Sequence, residues 1–280
     1  MPGAITTCRV NAGPRPRPHD RCRPDDREHG AVRLRSRSPR ARHVTNANRR
    51  PAAVRYQDPV VANAYDRQRF HHPRGRYHNW RLRRLLNKAL SSLSPGSVVL
   101  DIPCGTGRID NWLLNASLRV IAADISSEML AVARRKVRPA PSWLGFLRAD
   151  ADQLPLRSRS VDAVLCIRFL HLLDRDARLR VLSEIARVAK GSALVEFRVE
   201  RRVKTAKRAV FCWLTRRTIR KKMTVFEIAD ELSRCGLLVD RYYFVSRWFS
   251  GSVLVTARHQ DSGVATVPKS FESEIVPAGP

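Results

Sequence analysis

Ser97 to Arg108 reads Ser-Val-Val-Leu-Asp-Ile-Pro-Cys-Gly-Thr-Gly-Arg, a short apolar run that meets an acid and then a glycine-rich turn. Val98, Val99, Leu100 and Ile102, preceded by Pro95-Gly96, have the pattern of a parallel strand covered on both faces. Asp101 therefore falls at the C-terminal edge of a buried strand, where open α/β sheets leave a crevice for ligands. Gly105 and Gly107 lack a Cβ and let the backbone turn tightly against a ligand. A helix expected to begin near Arg108 would aim its free amide groups at the same place.

The turn excludes two common ligand classes. It lacks the third glycine of a dinucleotide fingerprint, with Asp110 two residues beyond Arg108, and it lacks the Gly-Lys-Ser/Thr ending of a phosphate-binding loop. Further along, Arg119-Val120-Ile121-Ala122-Ala123-Asp124 forms a second apolar strand ending in an acid, placed to accept hydrogen bonds from ribose hydroxyls. Ser126 or Ser127 can cap the helix that follows.

Leu-Asp-Ile-Pro-Cys-Gly-Thr-Gly-Arg and Ala-Asp-Ile-Ser-Ser-Glu-Met-Leu resemble the first and second motifs of the class I S-adenosylmethionine-dependent methyltransferases. The resemblance runs from Val98 to Ala257. It implies an α/β, Rossmann-like fold: a seven-stranded, mostly parallel sheet with helices on both faces and a C-terminal antiparallel hairpin. It implies S-adenosyl-L-methionine as cofactor, held by Asp101, Pro103, Cys104, Gly105, Thr106 and Gly107 in the first loop and by Asp124 and Ile125 after the second strand. Asp150 would meet the adenine amino group, with the Ala151 amide toward the ring and Asp152 as alternate. Ile167 would line the same side. Asp162, at the entrance of the fourth strand, reads as a structural cap.

Arg168 and His171 follow the fourth strand and are the candidate catalytic residues. A histidine there can take a proton from a hydroxyl or amine near neutral pH. Tyr65, His71 and His72 are further candidates to touch the acceptor, from a segment at Ala64-Tyr65-Asp66 through Arg69-Phe70 that resembles the N-terminal cover of many small-molecule methyltransferases.

The remaining pattern supports this domain. Leu82, Leu85, Leu86, Ala89, Leu90 and Leu93 predict an amphipathic helix over Trp80 to Leu93, and the run from Asp174 to Ala189 predicts another. Thr224 and Glu227 have the spacing of a capping box. Leu237 to Val245 and Ser252 to Ala257 predict two strands joined through Phe249-Ser250-Gly251.

Charge adds less than its size suggests. The net charge is +28 over 280 residues, and residues 1–55 contribute 14 Arg against 4 acids. That Arg/Pro-rich extension cannot bury enough apolar surface to order itself and is expected to be disordered, leaving residues 56–260 as the domain and 261–280 as a flexible tail. Residues 198–222 form a basic amphipathic insertion in which eleven basic residues meet one acid. It suits an anionic membrane surface, RNA or a cover over the site. Six scattered cysteines without a Cys-x-x-Cys pair exclude a zinc site, so no metal is expected. No run of about eighteen apolar residues is present. Without the apolar core of a secretory signal, the expected location is cytoplasmic.

The sequence thus predicts methyl transfer to a small-molecule acceptor. An RNA methyltransferase using the basic surface is one alternative, but the fourth strand ends in Cys-Ile-Arg-Phe rather than the Asn/Asp-Pro-Pro-Tyr/Phe of base amino-group methylation. A cofactor-binding protein without turnover is the other.

Overall fold

The computed structural model describes residues 56–138, 140–199, 223–246 and 251–260. The expectations for 1–55, for 261–280 and for all but the first two residues of the basic segment 198–222 lie outside these residues.

Seven strands form one sheet: β1 (Val98–Asp101), β2 (Arg119–Asp124), β3 (Trp143–Arg148), β4 (Val161–Cys166), β5 (Ala189–Arg198), β6 (Leu237–Phe244) and β7 (Ser252–His259). Their order is β3-β2-β1-β4-β5-β7-β6. The first five run parallel, while β7 is antiparallel to both β5 and β6. The predicted doubly covered sheet with a closing hairpin is therefore the fold.

Alternation along the strands divides the core. Val98 and Leu100 of β1 face α5 (Arg175–Val188) and α6 (Val225–Arg234), whose Val181, Leu182, Ile185, Ile228 and Leu232 are buried with them. Val99 faces the other way, onto Leu82 and Leu86 of α2 (Pro73–Leu90) and Leu113 of α3 (Asp110–Asn115). All four residues of β1 are buried, as the unbroken apolar run requires. In a separate small cluster, α1 (Pro59–Phe70) lies against α4 (Ser127–Lys136) through Ala62, Met129 and Val132.

The ends of the elements follow from identifiable side chains. Ser126 accepts from the Met129 amide and caps α4, Asp174 caps α5 through the Ala177 amide, and Thr224 and Glu227 form the predicted reciprocal box. Asp162 does act structurally: its Oδ2 accepts from the Val98 amide at 2.7 Å and ties the start of β1 to β4.

Two helices differ from expectation. The helix predicted from Trp80 begins at Pro73, because His72 caps it, its Nδ1 accepting from the Gly75 amide at 2.8 Å, and Pro73 suits a first turn. The helix expected near Arg108 begins only at Asp110 and has six residues, with no side-chain cap at Ile109. Arg108 is turned aside instead. Its guanidinium lies 3.9 Å from the Phe70 ring centre, and its Nη1 donates to Asn79 Oδ1.

Candidate active site

The C-terminal ends of β1, β2 and β4 meet around the glycine turn. Asp101 closes β1 with 1% of its surface exposed. The chain then passes through a cis peptide at Ile102–Pro103, and the Cys104 amide donates to Ala123 O at 2.8 Å, binding the turn to β2. Gly105 and Gly107 both hold left-handed φ angles, +57° and +71°. They differ in surroundings. A Cβ on Gly105 would meet nothing within 4 Å, whereas one on Gly107 would lie 2.9 Å from Val137 Cγ2 and 3.0 Å from Ala133 Cβ. Gly105 thus borders open space and Gly107 is wedged onto α4.

A stability contrast follows. Gly107→Ala is expected to cost about 1 to 2 kcal/mol, the left-handed penalty plus a clash, and Gly105→Ala only the penalty of about 1 kcal/mol. Urea midpoints of the two variants check this, and equal losses would contradict it.

Asp124, 5% exposed, organises the turn as well as facing it. Its Oδ2 accepts from the Gly105 amide and its Oδ1 from the Ser126 amide, both at 2.9 Å. Burial pushes its carboxyl up to about 6, while the amides of Ser126, Gly105 and Ile125 pull the other way. Asp101 has a buried neighbour that the sequence reading passed over. Asp110, fully buried at the start of α3, is raised by burial to about 7 even though its contact with Asp101 opposes the shift. Asp101 is raised by burial and then by Asp110. Asp101 Oδ1 and both Asp110 oxygens have no hydrogen-bond partner among the described residues. Two carboxyls side by side without donors form a site that favours a cationic group or a shared proton.

The other predicted residues gather at the same edge. Asp150 follows β3, half-buried, in a tight turn with Gln153, and Ala151 is buried beside it. Thr106 and Ile167 are buried, and Pro103 and Ile125 are half-buried. Cys104 is buried, and burial raises its thiol, so it has no nucleophile's character. From α1, Asp66 Oδ1 accepts from Thr106 Oγ1 at 2.8 Å, and Asp66 Oδ2 accepts from Lys136 of α4. The Ser126 hydroxyl donates to Tyr56 O at 2.6 Å. The N-terminal helices are thereby fastened to the glycine turn.

Arg168 has a left-handed backbone, φ +59°, unusual for a residue with a side chain. Glu196 of β5 holds it: the Arg168 amide donates to Glu196 Oε2 at 3.1 Å, and Glu196 Oε1 lies 3.5 Å from His78 Nε2. His171 stands three residues on, in a 3-10 turn over Leu170–Leu172. Burial, then Arg198, pushes its imidazole down to about 4. Of the cover candidates, His72 is the cap of α2, His71 is exposed, and Tyr65 is stacked edge-on between Tyr56 and Phe70.

Comparison with known proteins gives this arrangement its family. Residues 99–192 match the family described as methyltransferase domain. Over that span, about a third of its length, the chain is similar to a methyltransferase domain. The malonyl-[acyl-carrier protein] O-methyltransferase of Pectobacterium atrosepticum is 33% identical over 119 residues, 41% of this chain and 45% of that protein. The demethylmenaquinone methyltransferase of Renibacterium salmoninarum is 34% identical over 149 residues, 53% of this chain and 59% of that protein. The chain thus spans about half the length of the curated relatives it matches. The methyltransferase fold extends further than these matches. The crystal structure of magnesium protoporphyrin IX methyltransferase from Synechocystis PCC 6803 with bound SAH superposes with a TM-score of 0.63 at 19% identity, over 74% of this chain and 99% of that one.

The methyltransferase domain contains no helix, among the described residues, that is long and apolar enough to cross a membrane. Those residues also hold no cluster of three or more potential metal ligands. Glu196, His78, Asp110 and Arg198 were not singled out by sequence as site residues. A glutamate inside the apolar run Leu194-Val195-Glu196-Phe197 was the available signal, since a buried acid needs partners.

Proposed function

We propose that the chain is an S-adenosylmethionine-dependent methyltransferase acting on a small-molecule acceptor, with residues 56–260 as the catalytic domain. The observation that carries this reading is the buried carboxyl pair Asp101 and Asp110, three of whose four oxygens have no hydrogen-bond partner among the described residues, together with the open space at Gly105 and the Asp124 carboxylate bound to its amide. A ligand with a cationic amino-acid end and a nucleoside end matches both parts. In this reading Asp101, Pro103, Cys104, Gly105, Thr106 and Gly107 cradle the amino-acid end. Asp124 and Ile125 take the ribose, Asp150 and Ala151 the adenine, and Ile167 lines the site toward the acceptor. Bound there, S-adenosylmethionine supplies a methyl group already activated on a sulfonium. The residues need only align a nucleophile and exclude water. Arg168 and His171 face that step.

Of the proteins compared above, the demethylmenaquinone and magnesium protoporphyrin IX methyltransferases are named for small-molecule acceptors, which favours the same class here. Titration calorimetry of the full chain with S-adenosylmethionine and S-adenosylhomocysteine tests the reading. One site for each is expected, and no heat from folded protein would end it.

Binding should also depend on pH in a defined direction. Burial pushes the Asp110 carboxyl up to about 7 and the Asp124 carboxyl up to about 6. A cationic ligand favours the ionised carboxylates, so below these values binding must expel protons. Affinity therefore rises with pH, by about tenfold between pH 6 and pH 8 for one linked proton, and levels off above. The same groups act oppositely on the free fold: raised carboxyls contribute stability at low pH that is lost as pH rises through about 7. Calorimetric affinities across this range check the first sign, and urea unfolding of the ligand-free protein, with wild type losing stability between pH 6 and pH 8 relative to Asp110→Asn, checks the second.

A further inference from the structure

Beyond the cofactor loop, the acceptor side concentrates positive charge on one buried acid. Glu196 and Arg198 are two apart on β5 and so share a face, the face that meets His78 of α2. Glu196 is 2% exposed. Its Oε2 accepts from the Arg168 amide, while its Oε1, 3.5 Å from His78 Nε2, has no hydrogen-bond partner among the described residues. Arg168 is fixed in its strained backbone by that amide bond, with its guanidinium 5.1 Å from the Phe70 ring centre and a buried Nε that has no hydrogen-bond partner among the described residues. Arg69, at the end of α1, lies with its guanidinium 5.8 Å from the Tyr65 ring centre. Arg69 and Arg168 both lie close enough to act on Arg198. Burial and then Glu196, Arg168 and Arg69 set the charge balance on Arg198, whose affinity for its proton is lowered.

Three guanidiniums against one buried carboxylate leave a net positive field, and aromatic faces alone do not neutralise it. The group that completes such a set is an anion, and the planar fork of arginine matches a carboxylate. We propose that the methyl acceptor is a small-molecule carboxylate, held by Arg168 and Arg198 with Arg69 above, and that a carboxylate oxygen is the atom methylated. This rests on the methyltransferase reading given above.

The chemistry favours this nucleophile over a hydroxyl or amine. Those acceptors must shed a proton, and a base near neutrality serves best. Burial and Arg198 bring His171 down to about 4. Burial would raise Glu196, but His78, Arg168 and Arg198 bring it down to about 2. Both are weak bases at neutral pH. A carboxylate is already ionised. A lone pair of its oxygen forms the new O–CH3 bond as the C–S bond breaks, and that electron pair stays on sulfur. Sulfonium and carboxylate become thioether and methyl ester, no proton moves, and the ester loses the charge that held it to the arginines.

The test uses the full chain and S-adenosylmethionine carrying a tritiated methyl group. Acceptors are benzoate, phenylacetate, octanoate and succinate, each beside its amide, alcohol or amine counterpart, and an acid-soluble and an organic-extractable bacterial extract. A methyl ester is recognised because mild alkali releases its label as volatile methanol. Alkali-volatile label is expected, with kcat/KM lowered about 10- to 100-fold in Arg168→Gly and in Arg198→Leu, the loss typical of a charge-assisted hydrogen bond. Arg168→Gly relaxes the left-handed backbone, so it keeps the fold. The affinity for S-adenosylhomocysteine, read by calorimetry, should stay within about twofold in both variants. Label stable to alkali, or alkali-volatile label indifferent to both substitutions, would overturn the proposal. So would a cofactor-loaded protein that labels nothing and gives no calorimetric binding of these carboxylates. Failure to bind the cofactor at all would instead remove the methyltransferase reading.

Discussion

Asp124→Ala is expected to weaken S-adenosylmethionine binding by about 3 kcal/mol, on the order of 100-fold, near the upper end for a buried charged acceptor. The reason is that the carboxylate has two tasks. It accepts the Gly105 and Ser126 amides at 2.9 Å each and so fixes the glycine turn to β2. In the proposed complex its remaining lone pairs take the ribose hydroxyls. Alanine removes the ligand contacts and leaves two loop amides without their acceptor. Asp124→Asn is the informative companion, because its one amide oxygen can keep a single loop bond. Calorimetry should rank the wild type above Asn and Asn above Ala. Equal affinities would separate Asp124 from the site.

Glu231→Ala is expected to destabilise the fold by about 3 to 5 kcal/mol, the cost of leaving a buried charge alone. Arg178 of α5 donates from Nε and Nη2 to the two oxygens of Glu231 of α6, each at 2.6 Å, and the side chains are only 12% and 4% exposed. This two-pronged bond joins the helices that cover one face of the sheet. Arg175 reaches the same carboxylate only at 3.8 Å from a half-exposed position and cannot replace Arg178. Removing both charges together, as Arg178→Met with Glu231→Leu, should restore much of the loss. Urea unfolding of the single and double variants measures the coupling, and a single variant within about 0.5 kcal/mol of wild type would contradict it.

The sheet was legible because its signals are local. Apolar runs ending in Asp101 and Asp124, the Thr224–Glu227 box and the glycines at 105 and 107 each fix a few neighbouring residues. The acceptor side was legible only in part. Arg168 and His171 follow a strand in an obvious way, but the residue that shapes Arg168 is Glu196, 28 positions away, and its other neighbour is His78 on a helix before the sheet begins. Nothing in spacing announces that convergence. The late start of α3 has a similar origin: Phe70 and Asn79 draw Arg108 away from the helix it would otherwise open. Asp110, read as a mismatch to a dinucleotide motif, gains meaning only when the fold sets it against Asp101.

The fastening of α1 bears on timing. Asp66 grips Thr106 and Lys136, Asn63 accepts from Arg135 at 2.7 Å, and the chain just before α1 takes a bond from Ser126. The N-terminal helices are therefore fastened to the glycine turn and to α4, the elements that hold the nucleoside in the complex proposed above. Such bonds are individually weak and break on fast timescales, but they are released together. If the cofactor binds as proposed above, loosening this cover, as in Asp66→Ala, is expected to shorten the residence time of S-adenosylhomocysteine, which stopped-flow dissociation would measure.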